Sequence, residues 1–569
     1  MDFEPFRSMM KQFFSAFAFA LLPLAAAMAQ QNPVPAIPGV PEAARQAAAS
    51  IDSEKIRAHV RFLADDLLEG RGPGTRGAEL AAKYIGTQFA LYGLEPAGDN
   101  GTYYQKVPLY AVHTVEDQTK FSFVPGKGAP IDLTYGSDYV TKDQTGAASA
   151  DIDAPIVFVG YGIDAPEYHW NDFAGVDVKG KVLLVIVNQP PSDDPAFFKG
   201  KVMTYYGRWT YKYEEAARLG AVGVLIIHRT DLASYGWDVV KNSQAIEKSY
   251  LDGDPDATLK AASWIQLDVA NKLFATIGKT ADEMITAAGK PGFKSFELPV
   301  RLKAHVASRV RHYESDNVIA KLPGTDKAGP DQAVIYSAHY DHLGIDPDAK
   351  GDKIYNGAAD NGTGCGILLE LARAYAQASE RPPHSMFFAA VTAEEQGLLG
   401  SQYLGMHPPL PAAQMSLDLN YDMLMPMGIP LSAEVSGVER TTFYPVVEKT
   451  AKAFDLTLEP DKFPGAGHYY RSDHFSFARV GVPAFSVGQG TLFEGHDAAW
   501  GKAQTEDYVA HHYHQPSDEY HADMDFRGDA KMARFGFILG WEASSLPKAI
   551  GWQKGDEFEA ARKKSEGAN

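Results

Sequence analysis

The sequence predicts an α/β fold: a mostly parallel central sheet covered by helices on both faces, interrupted by an inserted β-rich α/β unit. Three observations predict it. From about residue 315 onward, apolar runs of strand length alternate with amphipathic segments of helix length, the pattern of a parallel sheet with helical crossovers. Two continuous apolar runs, 181–187 and 221–227, flank a short helical stretch and read as strands buried on both faces, with a core of their own. The region 104–160 is divided by turn residues into short β-rich pieces.

Composition narrows the function classes. The chain has 569 residues, 45% of them hydrophobic and 22% charged, which is the balance of a folded protein of several domains. Lys plus Arg number 53 and Asp plus Glu 72, for a net charge of −19. With no basic run or Arg-rich helix, nucleic acid is not an expected partner. Cys365 is the single cysteine, so an intrachain disulfide and a cysteine-based zinc site are both excluded. Any metal must be held by His, Asp and Glu.

The elements follow in order. In residues 1–29, Arg7 and Lys11 precede an apolar run at 13–24 and then Ala27-Met28-Ala29, which reads as a cleaved secretory signal too short to span a bilayer. Asp2 and Glu4 are unusual ahead of such a run, and Met9 or Met10 would be a cleaner start. The expectation is export, to the periplasm or outside the cell, without stable membrane insertion. Residues 30–50, rich in Pro, Ala and Gln, read as a flexible tether. Residues 51–130 begin the main domain, with a helix capped by Asp52 or Ser53, a break at Gly70–Gly74, and a second helix over 78–92 stopped by Gly93. The insert is placed at 131–295. The main domain resumes over 296–548, with strands at 333–337, 386–391, 415–419 and 483–487 and helices at 363–378, 442–454 and 531–545. Residues 549–569 read as a polar C-terminal tail.

Functional residues in such sheets gather at the carboxyl ends of strands, and there the polar residues are unusual. The strand at 333–337 runs into His339-Tyr340-Asp341-His342, where a β-period places His339 and Asp341 on one side. Asp360 lies in Asn356–Gly364 at the start of a long apolar helix; taken alone, that is a helix cap with a tight turn. Glu394 and Glu395 directly follow the 386–391 strand. Adjacent carboxylates repel unless a cation lies between them, and a metal would let one ligate while the other moves a proton. Asp422 follows the 415–419 strand, and His514 lies far downstream, beside His511 and His512. Each piece has a bland explanation; together they supply two His, two Asp and two Glu, donor types suited to zinc without cysteine.

The stretches SAHYDHLG, NGAADNGTG, TAEEQGLLGS, LNYDM and YHQPSDEY, in this order, resemble the co-catalytic dizinc aminopeptidases of the aminopeptidase Y and bacterial leucyl aminopeptidase type, relatives of glutamate carboxypeptidase II. The resemblance covers 310–545 and also 56–100. The insert, with DVKGKVLLVIV and AARLGAVGVLII, is similar to a protease-associated domain. The resemblance implies two zinc ions per chain, with Asp360 bridging them, His339 and Asp422 completing one and Glu395 and His514 the other. It implies Glu394 as general base, Asp341 orienting His339, and a cis Asp360–Asn361 bond. The implied reaction is hydrolysis of N-terminal residues from peptides with a free amino terminus. Tyr469 or Tyr470 is a candidate oxyanion donor. A carboxypeptidase or dipeptidase stays open, for which Arg471 could hold a substrate carboxylate; so does a catalytically silent binding protein.

Overall fold

The computed structural model describes residues 34–328, 331–462 and 464–567. The predicted signal segment 1–29 lies outside them. Among the described residues no helix is long and apolar enough to cross a membrane.

Two sheets share one strand. Phe296–Leu322 is 27 residues long; its second half pairs antiparallel with Tyr104–Thr114 and with Met386–Val391. From there the main sheet continues in parallel through Ala333–His339, Met415–Asn420 and Ala484–Gln489, then turns antiparallel to Ser432–Ser436. The parallel centre is the apolar part, as expected for strands buried on both faces. Side chains alternate between two cores. Val334, Tyr336, Phe388 and Leu419 face Val60, Leu368 and Phe537, whereas Ile335, Phe387 and Val391 face Leu404 and Phe477. Helices Ser53–Leu63, Gly364–Ala376 and Arg527–Ser544 cover the first face, and Leu399–Met406 and His474–Arg479 the second. Asp52 caps the first of these helices by accepting the Glu54 amide at 2.9 Å.

The first half of Phe296–Leu322 belongs to the second sheet, where it pairs with Lys120–Pro125 and Ser149–Phe158. That sheet goes on in parallel through Val182–Ile186, Gly223–Ile227 and Ala261–Ile265. The boundaries expected at 131 and 295 therefore shift: the second sheet already includes 120–125, and the closing strand serves both sheets. Within the insert, Lys248–Leu251 returns to the main sheet and pairs with Leu109–Val112.

Two further expectations change. Residues 34–50 are not a tether. Val34, Ile37 and Val40 are buried and Glu42–Ala49 is a helix whose Ala44, Ala47 and Ala48 join the main core, because its small apolar residues recur at helical spacing. Nor is 549–567 a free tail. Trp552 and Phe558 are buried, and Glu559–Gly567 is helical. Asp556 and Glu557 pair with buried Arg440, at 2.8 Å for Arg440 Nε to Asp556 and 2.6 Å for its Nη2 to Glu557.

Candidate metal centre

The carboxyl ends of the three central strands bring the candidates together. His339 ends its strand, Glu394 and Glu395 follow Met386–Val391, and Asp422 follows Met415–Asn420. Asp360 sits in the turn ahead of Gly364–Ala376, joined to Asn361 by a cis peptide bond, as the resemblance implies. His514, 33% exposed at its side chain, reaches in from the loop after Ala498–His511.

Asp360 is the hub. Its Oδ1 is 3.4 Å from His339 Nε2 and its Oδ2 is 3.3 Å from His514 Nε2. Beyond them lie Asp422 Oδ1, 3.2 Å from His339 Nε2, and Glu395 Oε2, 3.0 Å from His514 Nε2. One carboxylate thus faces two imidazoles on opposite oxygens, each flanked by a further carboxylate. His511 and His512 are not part of this group: they turn outward to Asp507 and Ser517.

The electrostatics are those of a site with surplus negative charge. Burial raises the Glu394 carboxyl well above its ordinary range, and Glu395, Asp422 and Asp473 add to that. Burial would lower His339, but Asp422, Glu394 and Asp360 hold it far above an ordinary imidazole. His514 is likewise raised to about 10 by Asp360 and Glu395 against the effect of burial. Burial, with Glu395 adding to it, lifts Asp341 to about 6, and burial with Asp422 and Asp341 lifts Asp473 to about 7. Buried carboxylates and imidazoles so arranged suit divalent cations better than protons.

The satisfaction of polar atoms agrees. His514 Nε2, Glu395 Oε1 and both nitrogens of His342 make no hydrogen bond among the described residues, although each is buried and close to another donor atom. Side chains that crowd together without bonding one another fit a shared cation, and the donors are those zinc takes. His339, Asp360 and Asp422 could hold one ion and His342, Asp360 and Glu395 a second; His514 approaches the second group through Asp360 and Glu395.

The supporting residues make the following contacts, and only the tyrosines depart from expectation. The Asp341 carboxylate lies 3.8 Å from His339 Nδ1, an ion-pair separation rather than a hydrogen bond. The Nδ1 contact at 3.2 Å is to the Asp341 backbone carbonyl, while Asp341 Oδ1 accepts the Glu394 amide at 3.2 Å. The acid therefore fixes the loop of Glu394. Tyr469 and Tyr470 are not placed as oxyanion donors. Tyr469 donates its hydroxyl to the Ala484 carbonyl at 3.0 Å and Tyr470 donates to Glu557 at 2.6 Å. Arg471 donates to the Ala466 carbonyl at 3.1 Å and lines the same cavity as Glu394 and His514, where it could meet a substrate carboxylate.

Other residues were missed. Asp518 accepts the Ala359 and Asp360 amides, each at 3.0 Å. Arg71, fully buried, donates to the carbonyls of Tyr340 (2.6 Å) and Gly357 (2.8 Å), tying two site loops together. Both lie in motifs that sequence similarity flags, yet nothing local says which backbone groups they meet. His342 lies within SAHYDHLG, three residues after His339, and is wholly buried beside Glu395. The site opens into a cavity of about 420 Å³, roofed by the insert through Arg208, Lys248 and Tyr250 and floored by Glu394, Glu395 and His514.

Carboxylate–imidazole groups at the carboxyl ends of a central parallel sheet form groupings that could hold metal ions. Residues 317–535 match the sequence model of peptidase family M28. The protein is similar to leupeptin-inactivating enzyme 1 of Streptomyces exfoliatus, at 31% identity over 194 residues, 33% of this chain and 38% of that one. It is also similar to Carboxypeptidase Q of Xenopus laevis, at 26% identity over 308 residues, 51% and 55% of the two chains. Among solved structures, the aminopeptidase from Aneurinibacillus sp. strain AM-1 matches at 19% identity with a TM-score of 0.46, over 90% of this chain and 97% of that one. The chain spans less than two-thirds of the length of these curated relatives.

Proposed function

We propose that the protein is an exported zinc aminopeptidase that binds two zinc ions per chain and removes N-terminal residues from peptides with a free amino terminus. The observation that carries this is Asp360, whose two oxygens face His339 and His514 from opposite sides. His339, Asp360 and Asp422 would hold one ion and Asp360, Glu395 and His514 the other. Zinc at these positions would supply the charge that acidifies water and stabilises the oxyanion formed at the scissile carbonyl.

The chain's own residues do the rest. Glu394, half-buried and with its proton affinity raised, accepts the proton of the attacking water on its carboxylate and returns it to the leaving nitrogen. Asp341 keeps that carboxylate in place through the Glu394 amide. The roof contributed by the insert, read here as a protease-associated domain, limits the length of peptide that reaches the centre.

A second reading, a carboxypeptidase or dipeptidase, is favoured by Arg208. This half-buried guanidinium lines the cavity, its Nε makes no hydrogen bond among the described residues, and burial with Arg471 nearby lowers its pKa to about 10. A cation so placed suits a substrate carboxylate. The test compares aminoacyl amides with N-blocked peptides bearing a free carboxylate, alongside Glu394→Gln and zinc content on the same samples. We expect cleavage of the amides, a fall of about 10²–10⁴ in kcat for Glu394→Gln, and two zinc ions retained by the variant. Cleavage confined to blocked peptides transfers the assignment to the second reading, and a fully active Glu394→Gln removes the base.

A further inference from the structure

His342 has no part in the assignment above, yet it is placed as a donor. Its side chain is wholly buried, with Nδ1 2.7 Å from Glu395 Oε1. Neither ring nitrogen makes a hydrogen bond among the described residues. At 2.7 Å the two atoms are close, yet neither satisfies the other by hydrogen-bond geometry. Leaving a buried imidazole so unsatisfied is costly and calls for another partner.

The surroundings are built for that ring. Gly357 packs against it so closely that a Cβ there would lie 2.6 Å from His342 Cγ and 2.8 Å from Cδ2. The ring meets that of His514 edge-on at 5.7 Å, across Glu395. Ligand atoms of His342, Asp360 and Glu395 all lie within 4.8 Å of one another. His514 Nε2, on the other oxygen of Glu395, is similarly close and similarly unbonded. Four side chains therefore surround the second position, against three at the first.

We propose that His342 is a fourth protein donor to the second metal ion, which makes the two positions unequal: a three-donor position at His339, Asp360 and Asp422, and a four-donor position at His342, Asp360, Glu395 and His514. Four protein donors are the mark of a retained, structural zinc, and three leave the open place that chemistry needs. The ion at the second position then stays when the other exchanges. This rests on the two-ion reading of the site and not on which peptide is cut.

The test is metal binding by the full-length chain. Protein stripped with a chelator is titrated with Zn²⁺ at buffered free concentrations, and with Co²⁺ followed by its visible absorption. The wild type should take up two ions in separate steps. His342→Ala and His342→Gln should weaken the tighter step about 10–100-fold and leave the weaker unchanged. Glutamine can still hydrogen-bond Glu395, so a wild-type titration of His342→Gln would reduce His342 to an orienting group and overturn the proposal. A wild-type titration of His342→Ala would do the same. Cobalt-loaded wild type gives an independent reading that does not depend on whether a variant folds: three shifted imidazole N–H resonances are expected, from His339, His342 and His514, and two would refute the assignment. Two ions with three such resonances in a protein that cleaves no peptide would sink the activity and leave this inference standing.

Discussion

Replacing Asp518 by Asn tests how the loop of Asp360 is held. Asp518 is 3% exposed. Its Oδ1 accepts the Ala359 amide at 3.0 Å; its Oδ2 accepts the Asp360 amide at 3.0 Å and the Tyr508 hydroxyl at 3.1 Å. Its own carbonyl takes the Ala358 amide at 3.0 Å. Three successive amides leading into Asp360 thus dock on one residue. Asparagine keeps the shape but turns one oxygen into an NH₂ group, and either way round a donor then faces a donor.

The less costly orientation sets the NH₂ against Ala359. It loses one hydrogen bond to a charged acceptor, about 1.5–3 kcal/mol, and leaves a buried N–H without an acceptor, about 1–3 kcal/mol. These overlap, and the neutral amide is easier to bury than the carboxylate, so the net cost is about 2–4 kcal/mol. Because the displaced loop carries Asp360, zinc affinity should fall about 10–100-fold. Urea unfolding of the metal-free protein measures the first effect and a buffered zinc titration the second. A variant within about 0.5 kcal/mol of wild type with unchanged zinc affinity would refute the argument that Asp518 positions the loop.

Two further outcomes follow from buried charge. Burial lowers His59 to about 4, with Arg373 and Lys55 adding to the effect. Its folded value lies below the unfolded one, so the unfolded chain takes up the proton first, and stability is lost as pH falls from about 6.5 towards 4, by up to about 3 kcal/mol; His59→Gln should flatten the pH dependence of the urea midpoint across that window, and an equal slope would assign the acid sensitivity elsewhere. Asp556→Ala should cost about 3–5 kcal/mol, because it strips buried Arg440 of a two-point partner; a loss under about 1 kcal/mol would mean that the C-terminal segment is not needed to hold Arg440.

The sequence carried the main sheet well because its evidence is local. The apolar runs at 333–337, 386–391 and 415–419 coincide with strands Ala333–His339, Met386–Val391 and Met415–Asn420. Their exits carry His339, Glu394, Glu395 and Asp422. What stayed hidden depends on distant partners. Phe296–Leu322 runs on without a turn, and nothing local shows that it changes sheets midway. Residues 30–50 have a tether's composition, but alanines at helical spacing suffice when Arg527–Ser544 offers a surface. His342 sits in a quoted motif, yet only the fold shows it turned towards Glu395. Tyr469 and Tyr470 were misjudged for the same reason: their hydroxyls are taken by Ala484 and by Glu557, some distance away in sequence.

The insert does more than cover the cleft, and Lys248 is where that can be measured. The segment Lys248–Leu251 leaves the insert to pair with the main sheet, which brings the Lys248 ammonium against the Gln396 carbonyl. Gln396 is the next residue of the turn that carries Glu394 and Glu395. Burial lowers the Lys248 pKa to about 8, although Glu394 and Glu395 oppose it. Other ties hold the turn, among them the Glu394 amide to Asp341 at 3.2 Å and the Gly397 and Leu398 amides to the Glu394 carbonyl at 2.7 and 2.9 Å. Lys248→Met keeps the packed stem and removes only the donor, at a cost of about 1.5–3 kcal/mol to the turn if the bond is fully felt there. Every 1.36 kcal/mol of that reaching the transition state is a factor of ten in rate, so kcat should fall about ten- to a hundredfold with zinc content unchanged. A simple roof would instead change KM and substrate length preference while leaving kcat alone. That outcome would show that the insert acts by exclusion and that the turn holds itself.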